Sequence, residues 1–118
     1  MEQQFSLTSA LRDNCLVINT SGYVNNVGGE AIARAFDQHF KQGTKYVIIN
    51  LAQSKVVNSI GMSFLIEIIE KLQDVDGKLI FTNLDPAVEK MLTIMGLFGF
   101  AGKEKSVEDA LQSLSLLA

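Results

Sequence analysis

The order of apolar and polar positions divides the chain into extended and helical stretches. Phe5 to Ala10 alternates loosely, with Phe5 and Leu7 on one face, and Cys15 to Ile18 is a short apolar run. Arg12-Asp13-Asn14 between them is turn chemistry, because Asp and Asn bond their own backbone and tolerate turn conformations. Together they predict an opening β-hairpin. From Glu30 to Lys41 the period becomes helical, with Ile32, Ala35, Phe36, His39 and Phe40 on one face and Glu30, Arg34, Asp37, Gln38 and Lys41 on the other. Gly43 suits the helix stop. Gly28-Gly29 reads as partner-contact backbone or, the favoured reading, as a flexible entry to this helix.

Tyr46 to Leu51 is nearly unbroken apolar and β-branched, as expected of a central strand covered on both faces. Ser59 to Gln73 is helical, with Ile60, Phe64, Leu65, Ile68, Ile69 and Leu72 expected to be buried and Ser63, Glu67, Glu70 and Lys71 forming a narrow polar stripe. Asn58 is a favourable N-cap. Asp74 to Gly77 is a turn, and Lys78 to Thr82 another strand. Asp85-Pro86 reads as an N-cap followed by proline at the first helical position, with the helix running to about Met95 and Gly96 ending it. Ser106-Val107-Glu108-Asp109 resembles a capping box that starts a last helix to about Leu117. A further short strand fits between these two helices. Met91, Leu92, Met95, Leu97, Phe98 and Phe100 form an apolar cluster that reads either as a second interaction patch or, the favoured reading, as buried beneath the last helix.

Strands alternating with helices imply an α/β fold: a mixed sheet of four to five strands, opening with a β-hairpin and packed with about four helices. Nothing in residues 1–118 marks a linker or a repeat, so one domain is expected. The chain is 47% hydrophobic and 19% charged, an ordinary globular balance that argues against disorder. A net charge of −3 gives no broad attraction to nucleic acid or anionic membrane. With Cys15 as the sole cysteine no internal disulfide can form, which fits a reducing compartment. The polar start, Met-Glu-Gln-Gln-Phe-Ser, lacks the features of a signal peptide, and no apolar run approaches the length of a bilayer span. A cytoplasmic location without membrane insertion is expected.

Catalytic motifs are missing from the sequence. There is no Gly-x-Gly-x-x-Gly, no phosphate-binding loop and no His-Glu-x-x-His. One Cys and one His cannot supply a thiolate–imidazole metal site, and Asp13, Asp37, Asp74 and Asp76 fall in separate turns or faces. A Ser–His–acid triad would need His39, which sits on the apolar side of a helix, and Ser59 is not in a Gly-x-Ser-x-Gly elbow. Cys15 reads as a buried structural thiol.

Ser59 stands out by position. It opens a helix at the carboxyl end of the strand expected to be central, on the rim where open α/β sheets bind their ligands. Helix N-termini carry free N–H groups and partial positive charge, so a phosphate on this hydroxyl would be favourably placed. Serine is also common there simply as a cap.

Ile48-Ile49-Asn50-Leu51, then seven residues, then Ser59-Ile60-Gly61-Met62 resembles the signature of the STAS domain, in particular that of bacterial anti-sigma-factor antagonists. Those proteins carry a strand ending Asn-Leu, a short loop, and Asp-Ser-Ser/Thr-Gly-Leu opening a helix. Upstream, Ser21-Gly22-Tyr23-Val24-Asn25 is similar to their Thr-Gly-Glu-Leu-Asp. Downstream, Gly77-Lys78-Leu79-Ile80, Asp85-Pro86-Ala87-Val88 and Met95-Gly96-Leu97-Phe98 follow in the same order and at the same spacing. The order and spacing carry the resemblance, since no single segment is specific.

The resemblance implies a binding module, not an enzyme, with no cofactor of its own. Its partners would be an anti-sigma factor that is also a serine kinase, and a serine phosphatase that resets the site; no nucleic acid is implied, and the chain would be a monomer or weak dimer. The phosphoacceptor would be Ser59, and the partner surface the rim formed by Asn25, Asn58, Ser59, Ile60, Gly61 and Met62. Gly61 would admit close approach of the partner or pack against a neighbouring loop. This chain departs from the family pattern in having Asn58 and Asn25 where carboxylates are usual, and Ile60 where Ser or Thr follows the acceptor. The departures at Asn58 and Ile60 motivate a second reading, a constitutive STAS subunit of a transporter or larger signalling complex that is not phosphorylated.

Overall fold

The computed structural model of the chain describes residues 4–117. The polar start, Met1 to Gln3, and the last residue, Ala118, lie outside the described residues. The elements run β1 (Ser6–Arg12), β2 (Cys15–Ser21), α1 (Asn26–Phe40), β3 (Tyr46–Gln53), α2 (Ser59–Gln73), β4 (Lys78–Thr82), α3 (Pro86–Ile94), a short 3-10 turn (Leu97–Gly99), β5 (Gly102–Glu104) and α4 (Val107–Ser115). The strands form one sheet in the order β1-β2-β3-β4-β5, antiparallel between β1 and β2 and parallel thereafter. The fold class expected from the sequence is therefore the one observed: α/β, a mixed sheet opened by a hairpin, and four α-helices.

Local chemistry explains each junction. Asp13 and Asn14 adopt φ of 52° and 67°, a left-handed pair that closes a two-residue hairpin with Arg12 opposite Cys15. Both strands run two or three residues further than their apolar positions indicate, because backbone pairing continues where side chains turn polar. Asn58, Asp85 and Ser106 cap α2, α3 and α4 as the sequence predicts. The start of α1 differs. It begins at Asn26, and Gly28 and Gly29 are helical, not a flexible entry. A Cβ on Gly29 would lie 2.5 Å from Phe64 Cδ2 and 3.2 Å from the Gly61 Cα, so the glycine is required by close approach of α1 to α2.

β3 is central and buried on both faces. Val47, Ile49 and Leu51 face a large core shared with α1, α2 and α3, and Ile48 faces a smaller one. The smaller core holds Cys15, Val17, Ile80, Ala110, Leu111 and Leu114, so α4 alone covers that side. This placement corrects the expectation for the Met91–Phe100 cluster. Leu92 and Leu97 are buried, but in the larger core, on the face of the sheet opposite α4. Met95 and Phe100 are exposed. Ile60 is also exposed, at 52%, although Gly61 and Met62 beside it are buried.

Candidate functional site

The loops that leave β2 and β3 run side by side and are stitched together by backbone. Gly22 N donates to Gln53 O at 2.9 Å, Val24 N to Val56 O at 3.0 Å, and Asn58 N to Val24 O at 3.1 Å. Val24 and Val57 form an isolated parallel bridge, and both are buried. The residue after each valine is an asparagine that caps the next helix. Asn25 Oδ1 accepts from Val27 N at 3.0 Å and Gly28 N at 3.1 Å, and Asn58 Oδ1 accepts from Gly61 N at 2.8 Å. The N-termini of α1 and α2 thus emerge together at one rim.

A buried pair of hydroxyls braces the strand ends beneath this rim. Thr20 Oγ1 donates to the Asn50 carbonyl at 3.3 Å and lies 2.7 Å from Ser54 Oγ. A hydroxyl has one proton, so with Thr20 donating to the carbonyl, Ser54 donates to Thr20. The Asn50 side chain bridges outward, donating to Asn19 Oδ1 at 2.9 Å and accepting from Ala52 N at 2.9 Å. Asn50 thereby fixes both the strand end and the loop toward Ser59.

Ser59 is the first residue of α2 and is exposed. Ser63, one turn later, donates its hydroxyl back to the Ile60 carbonyl at 2.6 Å, whereas no described residue hydrogen-bonds the Ser59 hydroxyl. The exposed apolar side chains of the two loops and the helix starts are Tyr23, Val27, Val56 and Ile60. Neither α1 nor α2 has an acid in its first turn. From Asn50 to Ile66 the only charged residue is Lys55, and from Asn14 to Gly29 there is none. The rim is apolar, nearly uncharged, and faced by the positive ends of two helices.

The residues expected on this rim divide by burial. Ser59 and Ile60 are exposed, and Asn25 and Asn58 are partly exposed while their side chains serve as caps. Met62 is 1% exposed, with its side chain in the core, so it leaves the partner surface. Gly61 is buried too: a Cβ there would collide with the Val24 carbonyl, so its role is to seat α2 on the neighbouring loop. Sequence reasoning missed Tyr23 and Val56, whose loop positions gave no period from which exposure could be read, and Val27, because the sequence places the start of α1 later, at Glu30.

The chemically distinctive residues sit elsewhere. His39 lies near the far end of α1, about 20 Å along the axis from its start, with Nδ1 3.1 Å from the Ala35 carbonyl. It does not reach Ser59. Cys15 is buried, and burial first, then the charge of Asp13, pushes its thiol pKa up. Among the described residues, no group of three or more His, Cys, Asp or Glu is placed to hold a metal ion, and no helix is long and apolar enough to cross a membrane.

Residues 7–110 match the family model of the STAS domain. A Bordetella bronchiseptica protein, BtrV, proposed to be an anti-sigma factor antagonist, is 24% identical over 104 residues, 88% of this chain and 90% of that one. An anti-sigma factor antagonist from Mycobacterium paratuberculosis superposes with a TM-score of 0.83 at 20% identity, over 96% of this chain and 97% of that one. The anti-sigma factor antagonist SpoIIAA in its unphosphorylated form gives 0.80 at 20% identity, over 93% and 96%. The phosphorylated form of SpoIIAA, described as a Bacillus cell fate determinant, gives 0.73 at 21% identity, over 94% and 99%. These structural likenesses establish a shared fold. With the family model spanning almost all of the described residues, the chain belongs to the STAS domain family.

Proposed function

We propose that this chain is an anti-sigma-factor antagonist-like binding module in a partner-switching pathway, controlled by reversible phosphorylation of Ser59. The observation that carries the reading is the Ser59 hydroxyl itself: exposed, unengaged, at a helix N-terminus, in a stretch from Asn50 to Ile66 whose only charge is Lys55. In the unphosphorylated state this rim offers a dry contact surface. A phosphate would add about −1.5 to −2 charges at its centre. The helix ends tolerate that charge within the free chain. A partner surface packed on Tyr23, Val27, Val56 and Ile60 does not, because it would have to desolvate the phosphate.

The partner is a serine-kinase-type anti-sigma factor, and a serine phosphatase restores the hydroxyl. ATP belongs to the kinase, and this chain contributes no catalysis and no cofactor. The protein acts in the cytoplasm. SpoIIAA, a structural relative, is known in both unphosphorylated and phosphorylated forms, which supports the reading by likeness. The second reading, a constitutive subunit of a transporter or larger complex, rests on Asn58 and Ile60, which replace the usual residues around the acceptor. Intact mass after incubation with the partner kinase and ATP separates the two. The first reading expects one added phosphate in wild type and none in Ser59→Ala; no gain in wild type favours the second.

A further inference from the structure

The sheet has two edges, and they are finished differently. β5 has three residues, Gly102–Glu104, with Lys103 within it and Lys105 just after. Short length and lysines are the usual means by which proteins prevent an edge strand from pairing with another chain. β1 has neither. It runs for seven residues, Ser6–Arg12, has no proline, and keeps unbroken register with β2. Every residue in it except Leu7 is exposed, including Leu11 at 51%. Its one charge, Arg12, is at the end and is paired with Glu108 at 2.9 Å.

We propose that β1 pairs with β1 of a second copy of this chain, antiparallel about a twofold axis at Ser9, to give a continuous sheet across a weak homodimer. The closing pair of the two-residue hairpin, Arg12 and Cys15, exchanges backbone bonds, so by alternation Arg12, Ala10, Thr8 and Ser6 point their backbone groups at β2. The N–H and C=O of Leu7, Ser9 and Leu11 point outward. With the axis at Ser9, residues whose numbers sum to eighteen lie opposite each other. Leu11 then meets Leu7 of the second copy, Thr8 meets Ala10, and Arg12 meets Ser6. The sequence is self-complementary in this register: apolar against apolar on the face of the larger core, small Thr8 against small Ala10 on the other, and no like charges opposed. Of the possible occupants of this edge, only a second copy uses that palindromic match. Strand pairing without a further surface is a small interface, so the dimer forms only at high protein concentration.

Sedimentation of the intact chain across a wide concentration range tests this. Wild type is expected to pass from monomer to dimer as concentration rises. Ser9→Lys, at an exposed position, sets two like charges across the axis and is expected to remain monomeric with an unchanged unfolding midpoint. Ser9→Cys is expected to form an intermolecular disulfide on mild oxidation, whereas Thr8→Cys, off the axis, does not. A wild type that stays monomeric throughout, a Ser9→Lys variant that dimerises like wild type, or equal cross-linking at both positions would overturn the proposal. None of these readouts involves Ser59, so they stand apart from the phosphorylation test.

Discussion

The backbone N–H of Asn58 donates to the carbonyl of Val24 at 3.1 Å, so the residue that caps α2 is held by the loop that leads into α1. The same carbonyl faces Gly61 one turn into α2. Position and orientation of Ser59 therefore depend on a loop far from it in sequence, and disturbance at Val24 or Gly61 is transmitted to Ser59.

Gly61→Ala places a methyl group against the Val24 carbonyl, and a backbone atom cannot rotate away. The substitution is expected to destabilise the chain by about 1–3 kcal/mol, the usual cost of overpacking. Urea unfolding measures this, and a midpoint equal to wild type would show that the two loops are not tightly seated.

Asn58→Ala removes the acceptor for Gly61 N and is expected to cost about 1 kcal/mol. Asn58→Asp keeps the cap and adds an anion at the positive helix end, so its stability is expected to be within about 0.5 kcal/mol of wild type or slightly above it. Thermal unfolding of the two variants side by side separates capping from any effect of the carboxylate on kinase recognition.

Thr82 is fully buried at the end of β4, and its hydroxyl has no hydrogen-bond partner among the described residues. Exchange for an isosteric apolar group removes that desolvation cost without opening a cavity. Thr82→Val is expected to stabilise the fold by about 1 kcal/mol. A loss of stability in denaturant titration would mean that the hydroxyl is satisfied in solution.

The Cys15 thiol has its pKa raised above the ordinary value of 9.0 by burial and by Asp13. Above that pH the unfolded chain releases a proton that the folded chain retains, so stability falls as pH rises from 9 toward the folded-state value. Below pH 9 the thiol is protonated in both states and contributes no slope. Unfolding midpoints from about pH 8 to 10.5 should fall more steeply in wild type than in Cys15→Ala, because that difference isolates the thiol from other groups. The same burial predicts that Cys15 reacts with a thiol reagent only in denaturant.

The sequence was most legible where one local signal decided the outcome. The limits of α2, Ser59–Gln73, follow from the Asn58 cap and a long helical period, and β4 follows from one apolar run. It was least legible where tertiary contact overrides local preference. Gly28 and Gly29 look like a flexible entry, yet Gly28 packs against Phe5 and the Tyr23 carbonyl and Gly29 against Phe64 and Gly61, which makes glycine the residue that fits. Periodicity put Ile60 with Phe64 and Leu65 but contains no information on which side of the first turn the neighbouring loop covers, so it missed that Ile60 is exposed while Gly61 and Met62 are buried. It likewise cannot tell which face of a sheet a helix covers, and for that reason Met95 and Phe100 were expected beneath α4. At the site, position alone identified Ser59, while Met62 was drawn in by the resemblance and burial removed it.

The central claim is that one phosphate at Ser59 decides partner binding. Its most direct test is a titration of the partner kinase, without ATP, against the unphosphorylated chain and the chain carrying phosphate at Ser59 alone. The account predicts a stable complex with the first and at least about a hundredfold weaker binding by the second, on the scale of a buried unpaired charge. Equal affinity for the two forms would contradict it.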